Sequence, residues 1–335
     1  MSCNKGRDAS ISYKGYKNET GERYMTTNST IRARLLGNTG IYVSPLCYGC
    51  GAAFARDLIS DAFSVELFHK AYNHGITFFD TGHSYGKAEE RIGMALKESC
   101  DIKRGNIVIS TKFGTRLSEN GTYFHDTTVD WAKKSIELSL MRMGIDYIDI
   151  LYIHAPNEKD LADEKLLCYL DDLKSEGVIK ATGANTFFSN IINKIADEHT
   201  FDVVQLDYNI AKQNRKPEIL ALYENGIGVC AGQAMGESVF LNDLFKIRRK
   251  KDLWYIARTL GRRASRELFM DAQKYRFLNH VDGIDGSQIA LKYVLDTPGV
   301  ASAAFGTCSL AHLQKNIEAQ SILIPDTVRR RIESV

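Results

Sequence analysis

Four side chains in this sequence could together move a proton: Asp80, Tyr85, Lys112 and His154. Ile76-Thr-Phe-Phe-Asp80 is a β-branched and aromatic run after Gly75, the composition of a short buried strand, and a carboxylate stands where it ends. Thr81-Gly-His-Ser84 reads as a turn, with Tyr85 directly after it. Two later runs, Val108-Ile-Ser-Thr-Lys112 and Ile148-Asp-Ile-Leu-Tyr-Ile-His154, end in an ammonium and an imidazole.

A phenol in water keeps its proton to about pH 10. An ammonium beside it would favour the phenolate and make Tyr85 a useful acid near neutrality. Asp80 would keep that ammonium charged and aimed. A neutral His154 would hydrogen-bond a carbonyl oxygen or share the proton of the phenol. The set suits protonation of a carbonyl oxygen while a nucleophile reaches its carbon, and it holds no nucleophile of its own. Hydride from a nicotinamide would complete that reaction. Singly, each residue has a structural explanation: Asp80 as a helix cap, Lys112 as a solvated loop charge, His154 as a satisfied core imidazole, Tyr85 as a lid aromatic. Their joint position at strand ends favours function. No metal site is expected, because only Asp80 and His154 are good ligands and Lys112 would repel a cation.

The elements that must position these groups alternate along the chain. Strands are expected at 46–49, 76–80, 106–112, 147–153, 178–184, 202–206, 227–231 and 300–305. Helices are expected at 62–74, 86–98, 128–143, 160–176, near 189–197, and at 217–224, 287–295 and 309–319, with a tail helix at 326–333. In the third helix Ala132, Ile136, Leu140 and Met143 form one apolar stripe. Eight short apolar strands alternating with amphipathic helices make an α/β fold, a (β/α)8 TIM barrel, rather than an open sheet. Chemistry in such a barrel gathers at the C-terminal ends of the strands, which is where Asp80, Lys112 and His154 fall. Ile31 to Leu36 and Ile41 to Ser44, joined by Gly37-Asn-Thr-Gly40, read as an N-terminal hairpin. Residues 1–30 read as a mobile N-terminal arm and 31–335 as a single barrel domain. Residues 236–285, after strand 7, read as a long irregular insertion.

Of the 335 residues, 44% are hydrophobic and 25% charged, with a net charge of +2, ordinary values for a globular chain. A charge this balanced gives no footprint for nucleic acid. No apolar run reaches 18 residues, so no membrane span is expected, and the N-terminus lacks the apolar core of a signal peptide. Seven cysteines, read as scattered and without a C-x-x-C pair, suit reduced thiols in a cytoplasmic setting, with Cys168 and Cys230 read as core residues.

Over roughly residues 31–320 the sequence resembles the aldo-keto reductase superfamily. Asp80-Thr-Gly-His-Ser-Tyr85 is similar to the family's Asp…Tyr segment, Ile109-Ser-Thr-Lys112 to its lysine strand, and Gly144 to His154 to the segment ending in its histidine. The resemblance implies Tyr85 as general acid/base, Lys112 and Asp80 as its tuners, and His154 as the group orienting the carbonyl. It implies an extended NADPH or NADH held over the barrel mouth, with a small-molecule carbonyl or alcohol as substrate. Asn185 and Thr186 stand where the family has a Ser-Asn pair for the carboxamide, and Gln205 matches its glutamine. Gly232-Gln233-Ala-Met235-Gly replaces Tyr-Ser-Pro-Leu-Gly, so the aromatic that stacks on the nicotinamide is missing. Gly306, Thr307, Ser309, His312 and Asn316 align with the adenosine-binding segment, and the usual cation for a 2′-phosphate is absent from it. Lys246, Arg248, Arg249, Lys250, Lys251, Arg258, Arg262 and Arg263 in the insertion form a basic run that would either face solvent or clamp phosphates. The expected function is NAD(P)(H)-dependent interconversion of an aldehyde, ketone or sugar-like carbonyl with its alcohol. Two alternatives stay open: a redox-sensing nicotinamide-binding barrel with little turnover, and a lyase or epimerase with tightly held cofactor. Loop 113–127, with Phe113, Arg116, Tyr123, Phe124 and His125, would wall the pocket, and the short loop after strand 4 would leave its mouth open.

Overall fold

Eight parallel strands close on themselves in chain order: β1 (Leu46–Gly49), β2 (Phe78–Asp80), β3 (Val108–Phe113), β4 (Ile148–His154), β5 (Ile179–Asn185), β6 (Val203–Asp207), β7 (Gly228–Gly232) and β8 (Val300–Phe305), with β8 pairing β1. The structure, a computed structural model, describes residues 16–17, 23–24, 32–52, 54–118, 120–236 and 273–335. The expected TIM barrel, its N-terminal hairpin and its interruption after the seventh strand are all present. The mobile-arm expectation falls largely outside the described residues. Within it, Tyr16–Lys17 and Arg23–Tyr24 form a short antiparallel ladder. The basic run of the insertion also lies outside the described residues.

Around the barrel pack α1 (Asp61–Asn73), α2 (Ala88–Glu98), α3 (Val129–Met143), α4 (Glu164–Ser175), α5 (Ser189–Glu198), α6 (Lys216–Glu224), α7 (Gly286–Leu295) and α8 (Leu310–Glu318), followed by α9 (Asp326–Glu333). Local chemistry sets several of their ends. Thr128 caps α3 by accepting from the amide of Trp131, and Gly144 closes it in the left-handed conformation. Ala132, Ile136 and Met143 of that helix are buried and Leu140 packs beside them, as their spacing requires.

Two apolar cores hold the barrel, and a third cluster, with Leu278, Ile289, Tyr293 and Ile332, joins residues 273–280 to α7 and α9. Of the two barrel cores, one lies between the strands and the helices. The other fills the barrel, where Cys47, Phe78, Val108, Ile150, Tyr152, Val203 and Cys230 meet Leu36, Ile41 and Val43 of the N-terminal hairpin. That hairpin, Arg34–Leu35 paired with Tyr42–Val43, plugs the end of the barrel opposite the strand C-termini. The amide of Asn38 donates to the carbonyl of Gly226, 2.7 Å away, and fixes it there.

Three expectations need correction. The helix read at 160–176 is two helices, Glu158–Leu161 and α4, because Asp163 caps α4 through the amides of Lys165 and Leu166 while Asn157 and Asp160 cap the first one reciprocally. The stretch at 273–280 is a 3₁₀ helix rather than irregular chain. Cys168 is exposed: Leu166, Leu170 and Leu173 define the inner face of α4, and Cys168 points away from it. Cys230 is buried, as expected.

Candidate active site

Strand register brings the polar groups of the mouth together. Asp80 pairs with Ser110 across β2 and β3, Lys112 with Tyr152 across β3 and β4, and His154, Asn185 and Gln205 stand in one rung across β4, β5 and β6. Side chains alternate along a strand, so Ser110 and Lys112 share the inner face of β3. Both reach Asp80. Lys112 Nζ lies 2.6 Å from each carboxylate oxygen, and Ser110 Oγ donates to Oδ1 at 2.6 Å. The third donor of the ammonium goes to the carbonyl of Thr81 at 2.7 Å. Burial alone would lower the pKa of Lys112. The charge of Asp80, with Tyr85 adding to it, outweighs that and holds the amine above its ordinary value, hence cationic.

Tyr85 closes the pocket from the turn after β2. Its ring lies between two glycines: a methyl added at Gly82 would meet it at 3.2 Å and one at Gly51 at 3.3 Å. The next residue, Gly86, has φ of +52°, and a Cβ there would come within 2.5 Å of the carbonyl of Ala55, so the turn needs glycine at this point. Arg91 holds the facing loop, donating to the carbonyls of Phe54, Arg56 and Ile59. Lys112 Nζ lies 5.1 Å from the centre of the Tyr85 ring, and the His154 ring stands edge-on to it at 5.9 Å. Burial raises the phenol pKa, and Lys112 only partly draws it back, so the net direction is upward. The sequence expects a phenol lowered by the ammonium. The structure instead holds it firmly protonated, because desolvation of a phenolate here exceeds one cation's pull.

His154 is neutral. Burial, with Lys112 adding to it, pushes the pKa down to about 4. Its Nδ1 sits 3.1 Å from Thr115 Oγ1, which fixes the ring and leaves the other nitrogen for a ligand.

The positions aligned with cofactor contacts form a second polar surface. The amide of Asn185 donates to Gln205 Oε1 at 2.9 Å, and both residues are buried. Thr186 is buried behind them, its hydroxyl accepting from the amide of Phe188. Gly232 ends β7 beside Gln205: a Cβ built on it would lie 3.7 Å from Cγ of Gln205. Gln233, exposed, takes a left-handed φ of 51°, and Met235 packs on the core rather than into open space. Ser309 caps α8 through the amide of His312, and Thr307 Oγ1 accepts from the amide of Ser309. Gly306 follows β8 directly, across from Gly49. Asn316 of α8 is 3% exposed. The donor and acceptor set along β5, β6 and α8 therefore fits a dinucleotide.

Sequence reasoning passed over three features. Thr115 belongs to a hairpin, Thr115–Leu117 with Tyr123–His125, whose strands are too short to signal themselves. A buried carboxylate, Glu89 of α2, accepts from Thr111 and from Arg142 and so fastens the outer face of β3 behind the site. Cys47-Tyr-Gly-Cys50 has the C-x-x-C spacing of a redox pair, but both thiols are fully buried and burial pushes both well up, so neither is a reactive thiolate. Arg116 pairs with Asp126 at 3.0 Å and lies over Trp131, which makes it a brace for the hairpin.

Comparison with known proteins agrees with this geometry. The model of the aldo/keto reductase family matches residues 45–335. The chain is 25% identical over 324 residues to the NADH-specific methylglyoxal reductase of Escherichia coli, covering 87% of this chain and 94% of that protein. It is 24% identical over 299 residues to the oxidoreductase YqkF of Bacillus subtilis, covering 86% and 91%. The holo form of the aldo-keto reductase AKR11C1 from Bacillus halodurans superimposes with a TM-score of 0.74 at 22% identity, covering 91% of this chain and 96% of that one. No helix among the described residues is long and apolar enough to cross a membrane. The match along nearly the whole barrel places the chain in the aldo/keto reductase family, a family of NAD(P)H-linked oxidoreductases acting on small carbonyl compounds.

Proposed function

We propose that the chain reduces an aldehyde or ketone to its alcohol, with Tyr85 as the proton donor. The observation that carries this reading is the Asp80–Lys112–Tyr85–His154 constellation: a cation neutralised by one carboxylate, beneath a protonated phenol and beside a neutral imidazole. The carbonyl oxygen sits between Tyr85 and His154. As negative charge grows on that oxygen, the phenol gives up its proton, and Lys112 steadies the phenolate left behind. His154, held from behind by Thr115, orients the oxygen without taking the proton. A reduced nicotinamide, when bound, supplies the hydride.

Asn185 and Gln205 hold the carboxamide, Thr307 and Ser309 meet the phosphates near the start of α8, and Asn316 meets the adenine. Gly232 gives the nicotinamide no aromatic platform, so its ring is held by the carboxamide contacts and by packing. Gly306, Cys308 and His312 offer no ammonium or guanidinium to a 2′-phosphate, which favours NADH. Titrating NADH and NADPH by fluorescence tests this, and a preference for NADPH would place the phosphate clamp in the basic run of the insertion. Assay of a carbonyl panel with both cofactors tests the reaction. Brisk turnover excludes a sensor without activity, and net consumption of NAD(P)H excludes an epimerase.

A further inference from the structure

The hairpin after β3 has two unlike faces. Directly opposed residues of an antiparallel pair share a face, as do residues two apart in one strand. Thr115 is paired with His125 and Leu117 with Tyr123, so these four side chains lie on one face, with Arg116 and Phe124 on the other. Contacts identify which face looks where. Arg116 lies 4.7 Å over the ring of Trp131 in α3, so its face turns toward the outer helices. Thr115 bonds His154, and the hydroxyl of Tyr123 reaches to 3.5 Å from the carbonyl of Ser84, the residue before Tyr85. The second face therefore spans the gap between the two groups that would hold a carbonyl.

That face is graded. Toward the site it is polar: Thr115 is on His154, and the exposed His125 reaches in to the buried Asp160 at 2.8 Å. At the rim it is apolar and open, with Leu117 54% and Tyr123 56% exposed. Across β4, the loop after β5 presents Phe187 and Phe188, also exposed. Away from these two loops, Tyr223 is also exposed. A patch of so few side chains is too small for a stable protein interface, and it runs without a break into the floor of the site.

We propose, resting on the carbonyl-reductase reading above, that the substrate carries a ring-sized apolar group beside its carbonyl and seats it on Leu117 and Tyr123. A substrate bearing hydroxyls along that length would set them against apolar walls with no partner, which a site of this kind discriminates against.

The test compares benzaldehyde with glycolaldehyde, using the wild type, Tyr123→Ala, and the double variant Leu117→Ala/Tyr123→Ala. Both positions are exposed on a loop, so the fold should survive, and circular dichroism checks that it does. Benzaldehyde should be the better substrate of the wild type, with kcat/KM about tenfold or more above that of glycolaldehyde. The double variant should lose about tenfold on benzaldehyde, through KM, and change by about twofold or less on glycolaldehyde. Parallel losses on both aldehydes, or a wild type that prefers glycolaldehyde, overturns the proposal while leaving carbonyl reduction intact. Should neither aldehyde be reduced, the carbonyl panel decides whether carbonyl reduction stands. The wall is then read by saturation-transfer NMR of benzyl alcohol: signal lost in the double variant supports it, and undiminished signal overturns it.

Discussion

Asp149 and Asp80 are buried carboxylates with cationic partners at opposite ends of the barrel, and they are finished differently. At the N-terminal end Asp149 accepts from Arg104 at 2.6 Å, from Lys180 at 2.8 Å and from the amide of Ile109 at 2.9 Å. Both cations also flank the ring of Tyr147, at 4.0 and 4.1 Å. Both carboxylate oxygens of Asp149 and both cations there are engaged with one another. At the mouth, Asp80 and Lys112 satisfy each other as fully, but the two side chains next to them, Tyr85 and His154, each keep a polar end turned to the opening. The same ion-pair chemistry fastens strands at one end and conditions a proton donor at the other. What separates structure from function is a polar group turned to the opening beside the ion pair, not the salt bridge itself.

Breaking the ion pair at each end should sharpen this comparison most visibly. Lys112→Met leaves Asp80 buried and unpaired, so it should cost about 3–5 kcal/mol of stability as well as nearly all turnover. Asp149→Asn should cost stability on the same order of about 3–5 kcal/mol, yet leave kcat of the surviving folded enzyme unchanged. Denaturant melts paired with steady-state assays measure both, and a large fall in kcat for Asp149→Asn would erase the distinction. Next in size is the cofactor end. Asn316→Leu removes the amide proposed to meet the adenine, so NADH binding should weaken by about tenfold, as read by fluorescence titration.

The smallest effect is in pH. Folding holds His154 near a pKa of about 4, below the roughly 6.5 of an unfolded chain. The unfolded state therefore binds more protons between these values, and the contribution of a neutral His154, complete above about pH 6.5, is lost as pH falls toward 4. His154→Gln should flatten the fall of Tm across that window. Because burial raises the pKa of Tyr85, reduction should hold level through neutrality into the alkaline range, whereas alcohol oxidation, which needs the phenolate, should climb with pH.

Much of this was legible in the sequence, for a physical reason. Buried parallel strands read as apolar runs, so an ionisable residue at the end of such a run stands out, as Asp80, Lys112 and His154 do. What could not be read depends on the third dimension. The hairpin carrying Thr115 has three-residue strands set among polar turn residues, so no alternation marks it. The break between Glu158–Leu161 and α4 comes from side-chain caps at Asn157 and Asp163 that interrupt one apolar stripe. The direction of the Tyr85 shift needs the balance of desolvation against one ammonium, and residue types alone do not supply that balance.

The account turns on Tyr85 as the donor, and Tyr85→Phe tests it most directly: same ring between Gly51 and Gly82, no proton. Measured on a carbonyl the wild type reduces, kcat should fall by about 100-fold or more while dinucleotide binding and Tm stay close to wild type. Turnover retained at the wild-type rate would contradict the account.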